Sequence, residues 1–445
     1  MTPHSTTGAD RRTFLQQAGL GALTTAAAVQ LTAPARAANA NERIRIGLIG
    51  CGGRGTGVAT TFTKLPNVEL VYACDPDSTR RGVTAEKLGS ASGRKLEMVG
   101  DLRKVLDDKS INAVIIATPD HWHAPASLLA LAAGKHVYVE KPCSHNIREG
   151  RLMVEAARRH KLTVQTGTQS RSGPHIRRAM ELLHNGAIGE ILVAKAWNSQ
   201  KRRSIGHEMP SDKPADLDFD MWIGPAPMVP YQKNLLHYGW RWLYPFGTGD
   251  MGNDGVHDID LARAGLGVQG HPSRVMAMGG KYFYDDDQQF PDTQTVLFEY
   301  PGAASTGRPK QLIFEMRLWS QYVQEGYENG NAFYGTKGMM LLGKGNNFQM
   351  FGIKNTPLET GTFTDREVPH AQNFIDCMRS GELPNADVEI GHLSASLCHL
   401  GNLATRVGRP LQFDPQKEQI IGDDEANQLV RRDYRAGHWA TPQGV

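Results

Sequence analysis

In the first part of the chain, short apolar runs alternate with mixed-polarity stretches. Ile44, Ile46, Leu48 and Ile49 lead straight into a glycine cluster, and Val68 to Cys74 make a second run that ends at Asp75. Asn112 to Thr118 is almost continuously apolar, the pattern of a strand buried on both faces of a parallel sheet. His136 to Glu140 and Leu162 to Gln165 supply the remaining strand-like runs. Helical patterns fall between them, at residues 79–88, around Val105 and Leu106, and at 124–133 and 147–160. This alternation predicts a doubly wound α/β domain from Glu42 to about Thr166.

The pattern then changes. Ile191 to Trp197, Gln294 to Tyr300 and Gln311 to Trp319 read as strands, and residues 331–342 read as a pair turned at Gly335-Thr336-Lys337-Gly338. The stretch 200–246 is long for a loop and holds Trp222, Trp240 and Trp242, with Trp197 just before it. Long loops in compact domains are usually functional. The indole faces suit a sugar ring, or else pack the loop onto the sheet. Two helices are expected at 370–379 and 389–407, the latter with Ile390, Leu393, Leu397, Leu400 and Leu403 at helical spacing. His392, His399 and Asn402 on it read as packing and hydrogen-bonding residues. The charged tail after Asp414 is expected to reach the first domain or a neighbouring subunit.

Length and composition add limits. The 445 residues suit two domains, 41–166 and 167–445, after a leader at 1–40. Arg11-Arg12-Thr13-Phe14-Leu15 opens a twin-arginine pattern, an apolar segment runs to Leu31, and Ala35-Arg36-Ala37 or Ala38-Asn39-Ala40 offers a cleavage site. The expectation is an exported, periplasmic chain that leaves the membrane on cleavage; an uncleaved anchor is the alternative. A net charge of +3 is too small to indicate a nucleic-acid partner. Cys51, Cys74, Cys143, Cys377 and Cys398 show no C-x-x-C spacing and read as packing residues rather than disulfides or zinc ligands.

The candidate chemistry starts at Gly50-Cys51-Gly52-Gly53-Arg54-Gly55, a G-x-G-x-x-G between a strand and a helix. Gly50 allows the turn, Gly52 the approach of a pyrophosphate and Gly55 the packing of helix on strand. Asp75 lies 20 residues beyond Gly55, where a carboxylate takes ribose hydroxyls. An acidic group there favours NAD over NADP; Arg80 and Arg81 keep NADP open. Ligands of such sheets sit at the carboxyl ends of strands. Thr118-Pro119-Asp120-His121-Trp122-His123, Glu140-Lys141-Pro142 and 167–171 all fall there. Lys141 is the candidate cation and proton relay beside the nicotinamide.

The G-x-G-x-x-G, the T-P-x-x-x-H segment and Glu140-Lys141-Pro142 together resemble the Gfo/Idh/MocA oxidoreductases over nearly the whole mature chain. The resemblance implies a Rossmann domain followed by an α/β domain with an open-faced, mainly antiparallel sheet, which forms a substrate wall and pairs copies into a homo-oligomer. It implies NAD contacts from Gly50, Gly52, Gly53, Arg54, Gly55, Asp75, Thr118, Pro119, His123, Glu140 and Lys141. The family pattern D-x-x-x-H meets His257, a candidate general base, but with Asn253 four residues earlier. Asn253 can orient a hydroxyl yet cannot stabilise an imidazolium by charge, a role left to Asp250 or Asp254. Tyr238 is a candidate second acid–base group; His237, Arg202, Arg203 and His207 are further possibilities. No metal set is evident, because the other histidines are scattered.

The leading expectation is an exported NAD(P)-dependent oxidoreductase acting on a carbohydrate hydroxyl, with the cofactor held tightly because free NAD is scarce outside the cytoplasm. The second is redox-neutral glycoside cleavage by oxidation, elimination and re-reduction. The third is a nucleotide-loaded sugar-binding protein without catalysis.

Overall fold

The structure is a computed structural model that describes residues 43–302, 307–345 and 347–445. The expected leader lies outside the described residues. Among those described, no helix is long and apolar enough to cross a membrane.

β1 (Ile44–Ile49), β2 (Val68–Cys74), β3 (Glu97–Val99), β4 (Ala113–Ile116), β5 (His136–Val139) and β6 (Val164–Thr166) form one sheet in the order β3-β2-β1-β4-β5-β6. Every neighbouring pair is parallel. Ile46, Leu48, Val114 and Ile115 are fully buried, as strands covered by helices on both faces must be. The strand order reverses between β1 and β4, so the crevice for a ligand opens at their carboxyl ends.

One helix is longer than its pattern suggests. It spans Ser78–Ser92, starting where the Asp77 side chain accepts from the Arg80 amide and ending at left-handed Gly93. Only Thr84, Ala85 and Leu88 of it are buried, and Val83 is exposed, so hydrophobic spacing alone could not mark its ends.

The second sheet has ten strands: β7 (Ile191–Asn198), β8 (Arg274–Gly280), β9 (Thr293–Tyr300), β10 (Lys310–Arg317), β11 (Asn329–Gly335), β12 (Met339–Leu342), β13 (Phe348–Phe351), β14 (Pro357–Gly361), β15 (Leu411–Asp414) and β16 (Gln419–Ile420). Their order is β14-β13-β12-β11-β7-β10-β9-β8-β15-β16, with β7 and β10 parallel and the other pairs antiparallel. Val296, Phe298, Leu312 and Phe314 point into a core shared with the helices Val256–Leu266 and Val388–Val407. Alternate residues point away from it, and there Met276 and Met278 are exposed. This is the expected open-faced, mainly antiparallel sheet beside a Rossmann domain.

The chain then returns to the first sheet. On the helix Glu367–Ser380, Phe374 meets Phe62 and Tyr138 edge-on, both at 6.0 Å between ring centres. The tail follows it: Arg103 lies 4.4 Å over the Trp439 ring, and Arg148 Nε donates to the Gly444 carbonyl at 2.8 Å.

Glu418, just before β16, fastens several of these elements. Its Oε1 accepts from His271 Nε2 at 2.8 Å, from His392 Nε2 at 2.7 Å and from Arg151 Nη2 at 2.7 Å. Burial by itself would raise the carboxyl's pKa, but the two histidines and Arg151 together hold it well below the usual range. A depressed folded pKa contributes stability that is present above the unfolded value of about 4.3 and is lost as pH falls below it. Glu418→Gln should therefore cost about 3 kcal/mol at pH 7. In urea titrations the difference from the parent protein should narrow as pH drops below about 4.

Candidate active site

The site starts where β1 ends. Gly50 has φ +98°, and a Cβ there would lie 2.6 Å from the Ala117 carbonyl. A Cβ on Gly55 would lie 2.0 Å from the Gly50 carbonyl oxygen, so only glycine lets the helix Gly53–Phe62 start against the strand. That helix has no side-chain cap and no acidic residue in its first turn. Its first amides and its positive dipole end are left for an anion.

A cleft opens in front of them. Asp75 lines one end, Gly50, Gly52, Gly53 and Arg54 the middle, then Thr118, Pro119 and His123, and Glu140, Lys141 and Asn253 the inner end. All the expected cofactor contacts are thus brought together except Gly55, which packs behind the wall. The fittings suit a dinucleotide. A Cβ on Gly52 would meet only Arg80 Nη1, at 3.7 Å, so the backbone there is open to a ligand. Arg80 Nε and Thr118 Oγ1 are buried without a protein partner. Asp75 accepts from the amides of Cys51 at 2.8 Å and Asp77 at 2.9 Å, which fixes its carboxylate at the end of β2.

The long loop folds over this cleft. Ser78 N donates to the Asp216 carbonyl at 2.9 Å, Thr79 Oγ1 to the Asp216 carboxylate at 2.7 Å, and Asp218 N to the Pro76 carbonyl at 3.1 Å. Leu236, His237, Trp240 and Arg241 from the same loop form part of the cleft wall. The loop therefore straps the edge where Asp75 lies.

At the inner end, Lys141 Nζ donates to the Asn253 carbonyl. Burial pushes the Lys141 ammonium's pKa down, against Glu140, Asp120 and Asp254, which pull it up. Glu140 accepts from Arg54 Nε at 2.8 Å and from Gln169 Nε2 at 3.2 Å. Asp120 begins the helix Asp120–Ala132, is nearly fully buried, and accepts from Thr248 Oγ1 at 2.6 Å. Asn253 Oδ1 accepts from Arg241 Nε at 3.1 Å, and its Nδ2 donates to Asp250 at 2.8 Å. Asn253 sits in a π-helical turn, Met251–Gly255, that feeds the helix carrying His257. Such turns recur at functional sites.

His257 does not line the cleft. Burial pushes its pKa well below the ordinary value, Lys344 and Lys141 push the same way, and Asp254 opposes them. The ring is therefore neutral at neutral pH, with Asp254 favouring its protonated form against burial and the two lysines. Asp254, not Asp250, is the carboxylate acting on it. Asp254 is itself held by Lys344 Nζ at 2.7 Å and Asn329 Nδ2 at 2.8 Å. Asp250 is taken by Arg202 Nε and Asn198 Nδ2, each at 3.0 Å.

The other candidates separate. Tyr238 is 47% exposed and lies outside the cleft wall, with Arg241 4.7 Å over its ring. His237 is at the far end, 3.2 Å from Asp77. Arg203 and His207 are exposed, the latter paired with Asp287 at 2.7 Å. Trp197 and Trp242 are core residues, whereas Trp222 and Trp240 line the cleft. Asp120 and Lys344 carry no local signal of their own, although Asp120 stands inside the T-P-x-x-x-H segment. The remaining histidines are scattered along the sequence. The structure brings His271 and His392 onto Glu418, the one group among the described residues with metal-ligand spacing, and Arg151 already supplies positive charge there.

The fold and cleft together define a two-domain protein built to hold a nicotinamide dinucleotide against a second-domain wall. Family models agree: residues 44–168 match the NAD-binding Rossmann fold of an oxidoreductase family, and residues 195–306 and 321–441 match its C-terminal alpha/beta domain. The chain belongs to the Gfo/Idh/MocA family. It is 26% identical over 228 residues to levoglucosan dehydrogenase of Pseudarthrobacter phenanthrenivorans, covering 50% of this chain and 51% of that one. It is 30% identical over 213 residues to glycosyl hydrolase family 109 protein 2 of Shewanella sp., covering 42% and 46%. These alignments span about half the length of each relative, 51% and 46%. A solved levoglucosan dehydrogenase complex with NADH and levoglucosan superposes with TM-score 0.64 at 18% identity, over 83% of this chain and 99% of that one, which shows a shared fold.

Proposed function

We propose that this chain is an exported oxidoreductase that uses tightly held NAD to oxidise a ring or chain hydroxyl of a sugar or polyol. One observation carries the reading: Lys141, with its pKa lowered, ends the dinucleotide cleft beside Asn253 and Asp120 and within electrostatic reach of neutral His257. NAD, when bound, supplies the hydride acceptor. Lys141 and Arg241 hold the substrate oxygen and stabilise the charge that grows on it. His257 takes the hydroxyl proton, and Asp254 stabilises the imidazolium that results. Asn253, fixed between Arg241 and Asp250, orients the hydroxyl. Tyr238, 47% exposed with Arg241 over its ring, is given no step in this scheme. The open face of the second sheet, with Met276 and Met278 exposed, is the surface on which copies pair.

The strap from Asp216 to Asp218 over residues 76–79 supports tight retention, which export of a folded, loaded protein requires. Denaturing the purified protein should release NAD in proportion to chain; an empty supernatant would count against retention. Incubating the as-isolated protein with free sugars and polyols should yield one equivalent of ketone per chain, and repeated turnover once a second sugar carbonyl is present to take the hydride back from the retained NADH. A second reading is favoured by the likeness to a glycosyl hydrolase family 109 protein. It is redox-neutral cleavage, in which oxidation acidifies the neighbouring C–H, the aglycone is eliminated, water adds, and the hydride returns to the sugar. Aryl glycosides run in parallel separate the two: aglycone release without net oxidation selects the second, and silence on both panels rejects both.

A further inference from the structure

Lys344 takes no step in the scheme above, yet it stands among its charges. It lies in the turn after β12, and its Nζ is 2.7 Å from Asp254 Oδ1 and 3.4 Å from Asp258 Oδ2. Asp254 comes three residues before His257 and Asp258 directly after it. One amine therefore answers both carboxylates that flank the imidazole in the chain. A carboxylate near an imidazole favours the protonated ring, and a cation opposes that. A ring that already holds a proton cannot take one from a hydroxyl. The balance of these charges therefore decides whether His257 can act as a base.

Little else answers the two carboxylates. The second oxygen of Asp254 accepts from Asn329 Nδ2 at 2.8 Å, and Arg202 Nη2 lies 3.5 Å from it. Asparagine brings no charge, and Arg202 is shared with Asp250, 3.0 Å from its Nε. Asp258 is fully buried; burial raises its carboxyl pKa to about 7, and Lys344 is foremost among the groups that oppose the rise. Burial also works against the Lys344 ammonium, but Asp258 and Asp254 hold its pKa above the ordinary lysine value. The other cations facing His257 are Lys141, just beyond β5, and Arg366, just before the helix Glu367–Ser380. Lys141 Nζ donates to the Asn253 carbonyl, and Arg366 Nη1 to Ser170 Oγ at 2.8 Å. Among the described residues, neither forms an ion pair with Asp254 or Asp258.

We propose that Lys344 is a positioning residue for the oxidation: it supplies the counter-charge that stops Asp254 and Asp258 from holding a proton on His257, so that the ring meets the hydroxyl empty. The proposal rests on the reading of His257 as the base. Histidine NMR titration of the as-isolated protein tests it, with the His257 resonance identified by its loss in His257→Gln. In Lys344→Met the His257 midpoint should rise by about one pH unit or more. The acid limb of kcat should move up with it, while kcat at high pH stays near the parent value. Lys344→Arg keeps the charge and should keep both. If Lys344→Met does not fold, because Asp258 is left buried without its cation, Lys344→Met combined with Asp258→Asn removes that carboxylate and carries the same prediction through Asp254. An unmoved or lowered midpoint, or kcat lost equally at every pH, would overturn the role of Lys344. Normal turnover in His257→Ala would instead overturn the base itself, and the role of Lys344 with it.

Discussion

Lys141→Ala should lower turnover by about a hundredfold or more while NAD stays bound. Lys141 is the side chain at the inner end of the cleft whose charge is both desolvated and poised between carboxylates. Burial lowers its pKa, and Glu140, Asp120 and Asp254 restrain the fall. Removing the amine leaves the developing oxygen charge without its cation but leaves Gly50, Gly52, Asp75 and Thr118 untouched. The loss should therefore appear in kcat more than in cofactor content or in substrate KM. His257→Ala should give a loss of similar size, because its neutral ring is the proposed proton acceptor. Normal turnover in both variants would mean that the chemistry lies elsewhere.

The second large effect separates two glycines of one motif. Gly55→Val places a side chain within 2.0 Å of the Gly50 carbonyl oxygen, and both groups belong to backbone that cannot move aside. The cost should reach about 3 kcal/mol or more, visible as a lowered Tm or as failure to fold. Gly52→Val meets no backbone, only Arg80 Nη1 at 3.7 Å. It should fold normally, fill the place of the pyrophosphate, and arrive from purification without NAD. Thermal melts and cofactor release on the two variants check the pair. A Gly52→Val protein with full cofactor would show that the cleft holds its ligand differently.

Much of the first domain was legible because its signals are local. Glycines follow a strand, a carboxylate ends the next strand, and Glu140-Lys141 falls at a third strand end, so each residue's position follows from its own element. The inner wall of the cleft was less legible. A helical reading of residues 250–257 puts Asn253 and His257 on one face, but Asp254, three residues before His257, is also within a turn of it and is the carboxylate that acts on it, while the Asn253 side chain is held by Arg241 and Asp250. Lys344 lies 90 residues from Asp254 and is delivered by the turn after β12, so no local pattern could announce it. His237 read as an acid–base candidate from its neighbours Tyr238 and Arg241. The loop carries it instead over the end of β2, to Asp77.

A crystal structure of the protein with NAD bound tests the central claim most directly. The account predicts the pyrophosphate on the first turn of the helix Gly53–Phe62, the adenosine ribose at Asp75, and the nicotinamide ring with Lys141 and His257 facing the same space beside it. A dinucleotide lying elsewhere, or a nicotinamide with Lys141 and His257 turned to separate surfaces, would contradict it.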